Sequence, residues 1–138
     1  MKRTAKAHWE GTLKEGKGTI STPSGILDNT NYSFKTRFEE GEKGTNPEEL
    51  LAAAHAGCFT MAVGAMLTAK GFNPKALDTE AIVTMEGLAV TAVHLIISGS
   101  AEGVSAAEFE AITKEAEKTC IISKVLSVPI TSEAKFVA

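Results

Sequence analysis

Hydrophobic and polar residues alternate at the start of the chain and then change period. Between Arg3 and Leu13, Ala5, Ala7, Trp9 and Leu13 fall on one parity, while Lys6, His8, Glu10 and Thr12 fall on the other. That period of two is the signature of a half-buried strand. Glu15-Gly16-Lys17-Gly18 reads as a turn. Thr19–Thr22 and Asn31–Phe38 read as further strands, divided by the punctuation at Pro23, Gly25 and Asp28-Asn29. At Thr45-Asn46-Pro47-Glu48-Glu49 the texture becomes that of a helix start: Asn46 suits the N-cap, Pro47 the first helical position, and Glu49 the capping-box position. The helix is predicted to run to about Lys70, with Gly71 as its stop. Ala76–Met85 and Val90–Ser98 follow as strands around a turn near Gly87, with Val93, Leu95 and Ile97 sharing a face opposite His94. Ser105 and Glu108 form a second capping box, opening a helix that carries Phe109, Ile112 and Ala116 on its inner stripe and ends before Cys120. Ile121–Ser127 suits a short helix and Pro129–Val137 a closing strand. The expected fold class is α+β, an antiparallel sheet with a long buried helix and a second helix.

From Leu50 to Ala69 no residue carries a formal charge, and as a helix those 20 residues would span ~30 Å, enough to cross a bilayer. Seven of them are alanine and two glycine, and His55, Cys58, Thr60 and Thr68 lie among them. The segment is rich in small residues rather than greasy, so a helix buried on all sides in a soluble protein is expected in place of a membrane span.

At 138 residues the length fits one domain, and 43% apolar residues suffice for a core. A chain this short buries only a moderate share of its surface, so a shared interface would help it. The net charge is −3 and basic residues never cluster beyond pairs, which argues against nucleic acid as a partner. The first 18 residues hold no apolar stretch of the secretory kind, so the cytoplasm is the expected compartment. A cysteine pair there is more often catalytic, redox-sensing or metal-binding than a structural staple.

Cys58 lies mid-helix and reads either as a small core residue or as a reactive thiol; the second needs a cation to hold the thiolate. Of the two arginines, Arg3 is near the terminus, while Arg37 lies between Phe34 and Phe38 in a predicted strand. Its fork could hold a carboxylate while pointing donors at a thiolate or a peroxide oxygen, or it could pair at the surface with Glu39 or Glu40. Glu49 has a capping task, so Glu48 is free to orient Arg37 or simply to complement the helix dipole. Glu48 and Cys58 are ten residues apart on one helix, ~15 Å along its axis, so Arg37 could serve both only by reaching across or by coming from a second subunit. Cys120 is either core or a resolving thiol that would capture a sulfenic acid. Competing chemistry is a metal set of His55, Cys58, His94 and Cys120, whose spacing matches no familiar zinc pattern. His8, on the exposed parity, reads as solvated. No phosphate loop, Ser-His-Asp arrangement or glycosidase-like carboxylate pair is present, and no cofactor is expected.

The run Gly44-Thr45-Asn46-Pro47-Glu48-Glu49-Leu50-Leu51-Ala52-Ala53-Ala54-His55-Ala56-Gly57-Cys58-Phe59 resembles the signature helix of the OsmC/Ohr family, the osmotically inducible and organic hydroperoxide resistance proteins. Ala7-His8-Trp9-Glu10-Gly11, Gly18-Thr19-Ile20-Ser21-Thr22 and Thr36-Arg37-Phe38-Glu39 resemble its OsmC branch. The resemblance covers nearly the whole chain, 1–138. It implies an intertwined homodimer with interfacial sites and a thiol peroxidase favouring organic hydroperoxides over hydrogen peroxide, in stress defence. It implies Cys58 as peroxidatic thiol, Cys120 as resolving thiol, and Arg37 with Glu48 as their charged partners. No metal is implied, and recycling would be by an external dithiol, lipoyl-type in some members. An apolar pocket is expected from Phe59, Met61 and Phe38. One departure stands out: relatives usually carry proline after the second cysteine, where this chain has Ile121, which is expected to loosen that turn.

Overall fold

The computed structural model describes residues 1–137. The chain divides into two compact units, Met1–Leu50 and Leu51–Ala138.

In the first unit, β1 (Lys6–Glu10), β2 (Lys17–Ser21) and β3 (Thr30–Tyr32) form an antiparallel sheet in the order β1-β2-β3. Trp9 and Tyr32 stack across it with ring centroids 5.5 Å apart. Gly18 lies between the rings: a β-carbon there would come within 2.5 Å of Tyr32 and 2.6 Å of Trp9, so only glycine fits. The strand expected over Asn31–Phe38 stops at Tyr32, and Phe34–Phe38 closes instead as a helical turn, α1. Local hydrogen bonds account for the change. The Ser33 hydroxyl accepts from the Thr36 N–H (3.2 Å), and the Ser33 N–H donates to the Thr36 hydroxyl (2.7 Å). This reciprocal box offers the backbone a better alternative than a strand edge.

The long helix α2 (Pro47–Ala69) starts where expected. Asn46 is its cap: Oδ1 accepts the Glu49 N–H at 2.7 Å. Asn46 Nδ2 also donates to the Thr36 carbonyl at 2.9 Å, fastening α1 to the start of α2. The Glu49 carboxylate accepts from the Thr45 hydroxyl at 2.8 Å, one residue earlier than the capping box predicts. Gly71, at φ +83°, ends the segment in the left-handed region open to glycine.

In the second unit, β4 (Asn73–Glu86), β5 (Ala89–Glu102) and β6 (Ile130–Phe136) form a sheet in that order. β4 and β5 pair antiparallel through a turn at Gly87. Within the α+β arrangement one pairing differs from expectation: β6 runs parallel to β5, so this sheet is mixed. Parallel neighbours need a crossover, supplied here by α3 (Ala106–Thr119) and the single turn α4 (Ile121–Val125). The Ser105–Glu108 box opens α3 as predicted. Val93, Leu95 and Ile97 of β5 are fully buried against Phe59, Val63 and Leu67 of α2 and against Phe109 and Ala116 of α3. Each such side chain contributes about 1.5–3 kcal/mol by leaving water.

The expectation that α2 is buried on all sides is corrected. Only His55, Phe59, Val63 and Leu67, at a spacing of four, are buried, and Met61 is 78% exposed. Alanine and glycine all round the helix give its composition no preferred face, so sequence could not say which stripe packs inward.

Candidate active site

The candidate side chains fall into two groups, one in each unit. In Met1–Leu50, α1 carries Arg37 and the first turn of α2 carries Glu48. The Ser33 box fixes the first element and Asn46 ties it to the second. Arg37 Nε donates to both Glu48 oxygens (3.0 and 3.1 Å), and Nη2 donates to Oε1 at 2.7 Å. This is a forked, charge-assisted pair. The Glu48 carboxylate is largely enclosed, while the arginine side chain keeps 42% of its exposure, leaving donors free beyond the carboxylate. The sequence-level alternatives, Glu39 and Glu40, make no ion pair with Arg37; its guanidinium lies 5.4 Å from the Phe38 ring centroid.

In Leu51–Ala138, Cys58 and Cys120 line one apolar groove of about 660 Å³, with Met61, Met66 and Ile121 among its walls. Both thiols are free. Cys58 is partly exposed and accepts the Ile122 N–H at 3.5 Å. Cys120 is 3% exposed. It is both the last cap of α3 and the N-cap of α4, its sulfur accepting the Ser123 N–H at 3.3 Å and donating to the Ser123 hydroxyl at 3.1 Å. His55, fully buried one turn before Cys58, has Nε2 2.7 Å from that same hydroxyl. Burial lowers the His55 pKa below its ordinary 6.5, because the charged ring would lose its water.

The walls expected of the apolar pocket are corrected in part. Met61 lines the groove, but Phe59 points into the core, and Phe38 lines a separate hollow of about 260 Å³ with Trp9, Tyr32 and Arg37. The turn after Cys120 is well formed despite Ile121: Cys120 takes φ −61° and ψ 146°, and α4 follows directly. The rival metal set does not gather. His94 faces away from the core, with Nδ1 2.6 Å from Thr131 and Nε2 3.1 Å from Glu133. Among the described residues no three His, Cys, Asp or Glu side chains form a group able to hold a metal. His8 is exposed beside Glu10, as expected.

Sequence reasoning missed Ser123, the Ile122 N–H and the role of His55. Ser123 follows Cys120 at the spacing of a capping pair, a signal that was available. The link from His55 across 68 residues to Ser123 was not.

The fold and the sequence find counterparts among known proteins. The chain superposes on the OsmC-like protein of Mycoplasma pneumoniae with a TM-score of 0.76, covering 100% of this chain and 99% of that one at 16% identity. On the organic hydroperoxide resistance protein OhrB of Bacillus subtilis the TM-score is 0.66, with 97% and 98% covered at 21% identity. The class is therefore the OsmC-like α+β fold. The OsmC-like family model matches residues 40–135. The chain is 47% identical to Peroxiredoxin OsmC of Escherichia coli over 133 residues, 94% of this chain and 92% of that protein. It is 39% identical to the organic hydroperoxide resistance protein OhrA of Bacillus subtilis over 98 residues, 66% of each chain. The chain belongs to the OsmC family.

Proposed function

We propose that the protein reduces organic hydroperoxides to alcohols, and hydrogen peroxide more weakly, with Cys58 as the attacking thiol and Cys120 as its resolving partner. It is a thiol peroxidase of the OsmC family, acting as a homodimer in the cytoplasm in defence against oxidative and osmotic stress. The observation that carries this reading is the groove: two free sulfurs, distant in sequence, lie on one apolar surface, one accessible and one buried.

The reaction runs in three steps. The Cys58 thiolate, stabilised by the Arg37 guanidinium that Glu48 orients and by the Ile122 N–H, attacks the outer peroxide oxygen. The O–O bond breaks, the alkoxide takes a proton and leaves as alcohol, and Cys58 becomes a sulfenic acid. The Cys120 sulfur then displaces hydroxide, which leaves as water, and a disulfide forms. An external dithiol, of the lipoyl type or similar, restores both thiols by exchange and is itself oxidised. Apolar walls favour hydroperoxides with hydrocarbon tails. The arginine and the cysteine are assigned to one active site completed in the homodimer, with Arg37 and Glu48 of one subunit serving Cys58 of the other.

The test is consumption of tert-butyl hydroperoxide with a dithiol. Cys58→Ser abolishes turnover, and unaltered turnover refutes the assignment. After one equivalent of peroxide without reductant, the unmodified protein loses two hydrogen atoms, about 2 Da, whereas Cys120→Ser retains an adduct of about 16 Da.

A further inference from the structure

We propose that Ser123 and His55 form a proton relay that activates Cys120 for the resolving step, with Ser123 touching the reacting sulfur and His55 acting through it as a positioning residue. The inference rests on the peroxidase reading above and concerns a step that reading leaves without a base.

Three observations carry it. Cys120 is 3% exposed, so water has little access to take its proton. Its Sγ donates to Ser123 Oγ at 3.1 Å, and Ser123 Oγ lies 2.7 Å from His55 Nε2, making an unbroken line from thiol to imidazole. The imidazole is an expensive group to keep in this place. It is fully buried in the middle of α2, and its Nδ1 has no partner among the described residues. An unsatisfied buried polar atom costs about 1–3 kcal/mol, which an apolar residue of similar size would avoid. The hydroxyl of Ser123 is thus what the ring is there to meet.

The chemistry follows from the direction of the bonds. The Cys120 thiol donates to Ser123, so the single Ser123 proton points to Nε2, which accepts it, and the ring proton sits on Nδ1. Burial disfavours the charged ring, so His55 rests neutral with a lone pair on Nε2. For the same reason transfer to it is uphill at rest. The relay therefore carries a proton only when Cys120 attacks the Cys58 sulfenic acid. As Cys120 Sγ bonds to the Cys58 sulfur, its proton passes to Ser123 Oγ and the Ser123 proton to His55 Nε2. The sulfur–oxygen bond of the sulfenic acid breaks with its electron pair on hydroxide. The hydroxide takes up one proton to leave as water, and the ring gives up its extra proton to return to neutral. The sulfenic sulfur is reduced and the thiol sulfur oxidised, so no outside reactant is needed.

The experiment separates sulfenic acid formation from disulfide closure. One equivalent of tert-butyl hydroperoxide is added without reductant, and samples quenched over time are read by mass for the adduct and the disulfide. In Ser123→Ala and in His55→Gln closure slows by about 100-fold relative to sulfenic acid formation, and the double variant is no slower than either, because the groups act as a unit. Glutamine can keep a hydrogen bond to Ser123 but has no basic nitrogen. Closure at the parent rate in His55→Gln therefore overturns the relay, even if Ser123→Ala is slow. Closure in the unmodified protein is also compared in H₂O and D₂O: a slowing of roughly twofold or more is expected with protons in flight, and no slowing overturns the proposal whatever the variants do. If the unmodified protein forms neither adduct nor disulfide, the peroxidase reading falls and the relay with it. If it forms both and the variants match it, only the relay falls.

Discussion

Replacing Glu48 by glutamine separates what the Arg37–Glu48 pair does for stability from what it does for chemistry. Three contacts of 2.7–3.1 Å hold the guanidinium. At an effective dielectric of about 20 the gross attraction of two charges about 4 Å apart is ~4 kcal/mol. Little of that reaches the folding equilibrium. Arg37 is 42% exposed, so water already solvates it and salt screens it. The net loss of stability on Glu48→Gln should be below about 1 kcal/mol. Orientation is a different matter. Hydrogen bonds to charged groups contribute about 1.5–3 kcal/mol, and a guanidinium released from its fork loses that preorganisation when the peroxide reacts. The corresponding fall in the rate constant for Cys58 oxidation is about 10–100-fold. Arg37→Lys should fall comparably, since an ammonium cannot be held by two parallel bonds. Urea unfolding measures the first quantity and stopped-flow oxidation at limiting peroxide the second. A stability loss above about 2 kcal/mol with activity tracking the folded fraction would make the pair structural. An unchanged oxidation rate would remove Glu48 from the mechanism.

Three further outcomes are expected. His55 is buried with its pKa lowered from 6.5, so the unfolded chain binds a proton that the folded one resists. Its contribution to stability is complete above about pH 6.5 and is lost as pH falls through the window below, a decline in urea midpoint that His55→Gln should flatten. Ile121→Pro should stabilise by about 0.4–1 kcal/mol in thermal unfolding, because position 121 is the first of α4 and Cys120 already has the extended backbone a following proline demands; destabilisation would show that the Ile121 N–H or side chain matters there. If Arg37 serves the partner's Cys58, mixing inactive Arg37→Ala and Cys58→Ser chains should restore roughly a quarter of the parent sites, and no recovery after subunit exchange would place both groups on one chain.

Much of this fold was legible because its signals are local. Asn46, Pro47 and the Ser105–Glu108 box mark helix starts by side-chain hydrogen bonds spanning three residues, and both helices begin where those bonds put them. The strand misread at Phe34–Phe38 had an equally local cause, since Ser33 and Thr36 make a box in which threonine stands in for the usual glutamate or glutamine. What escaped was non-local. Nothing in the alternation of β6 tells whether it pairs parallel or antiparallel. The even spread of alanine along α2 hides its buried stripe. The candidate site divides the same way. Cys58, Cys120 and Arg37 could be named as candidates because the chain has two cysteines and two arginines, whereas Glu48, one of 15 glutamates, was singled out by its place beside the capping Glu49 and by the family resemblance. The contact between His55 and Ser123, 68 positions apart in the chain, became visible only in the fold.

One sulfur in this protein holds two offices. Cys120 closes the end of α3 and, through the Ser123 amide, opens α4. If that thiol closes a disulfide, as in the proposed cycle, its S–H no longer donates to the Ser123 hydroxyl, and the start of α4 loses one of the two bonds that pin it. The oxidised form in the proposed cycle would then differ from the reduced one in the firmness of a short stretch, Ile121–Val125.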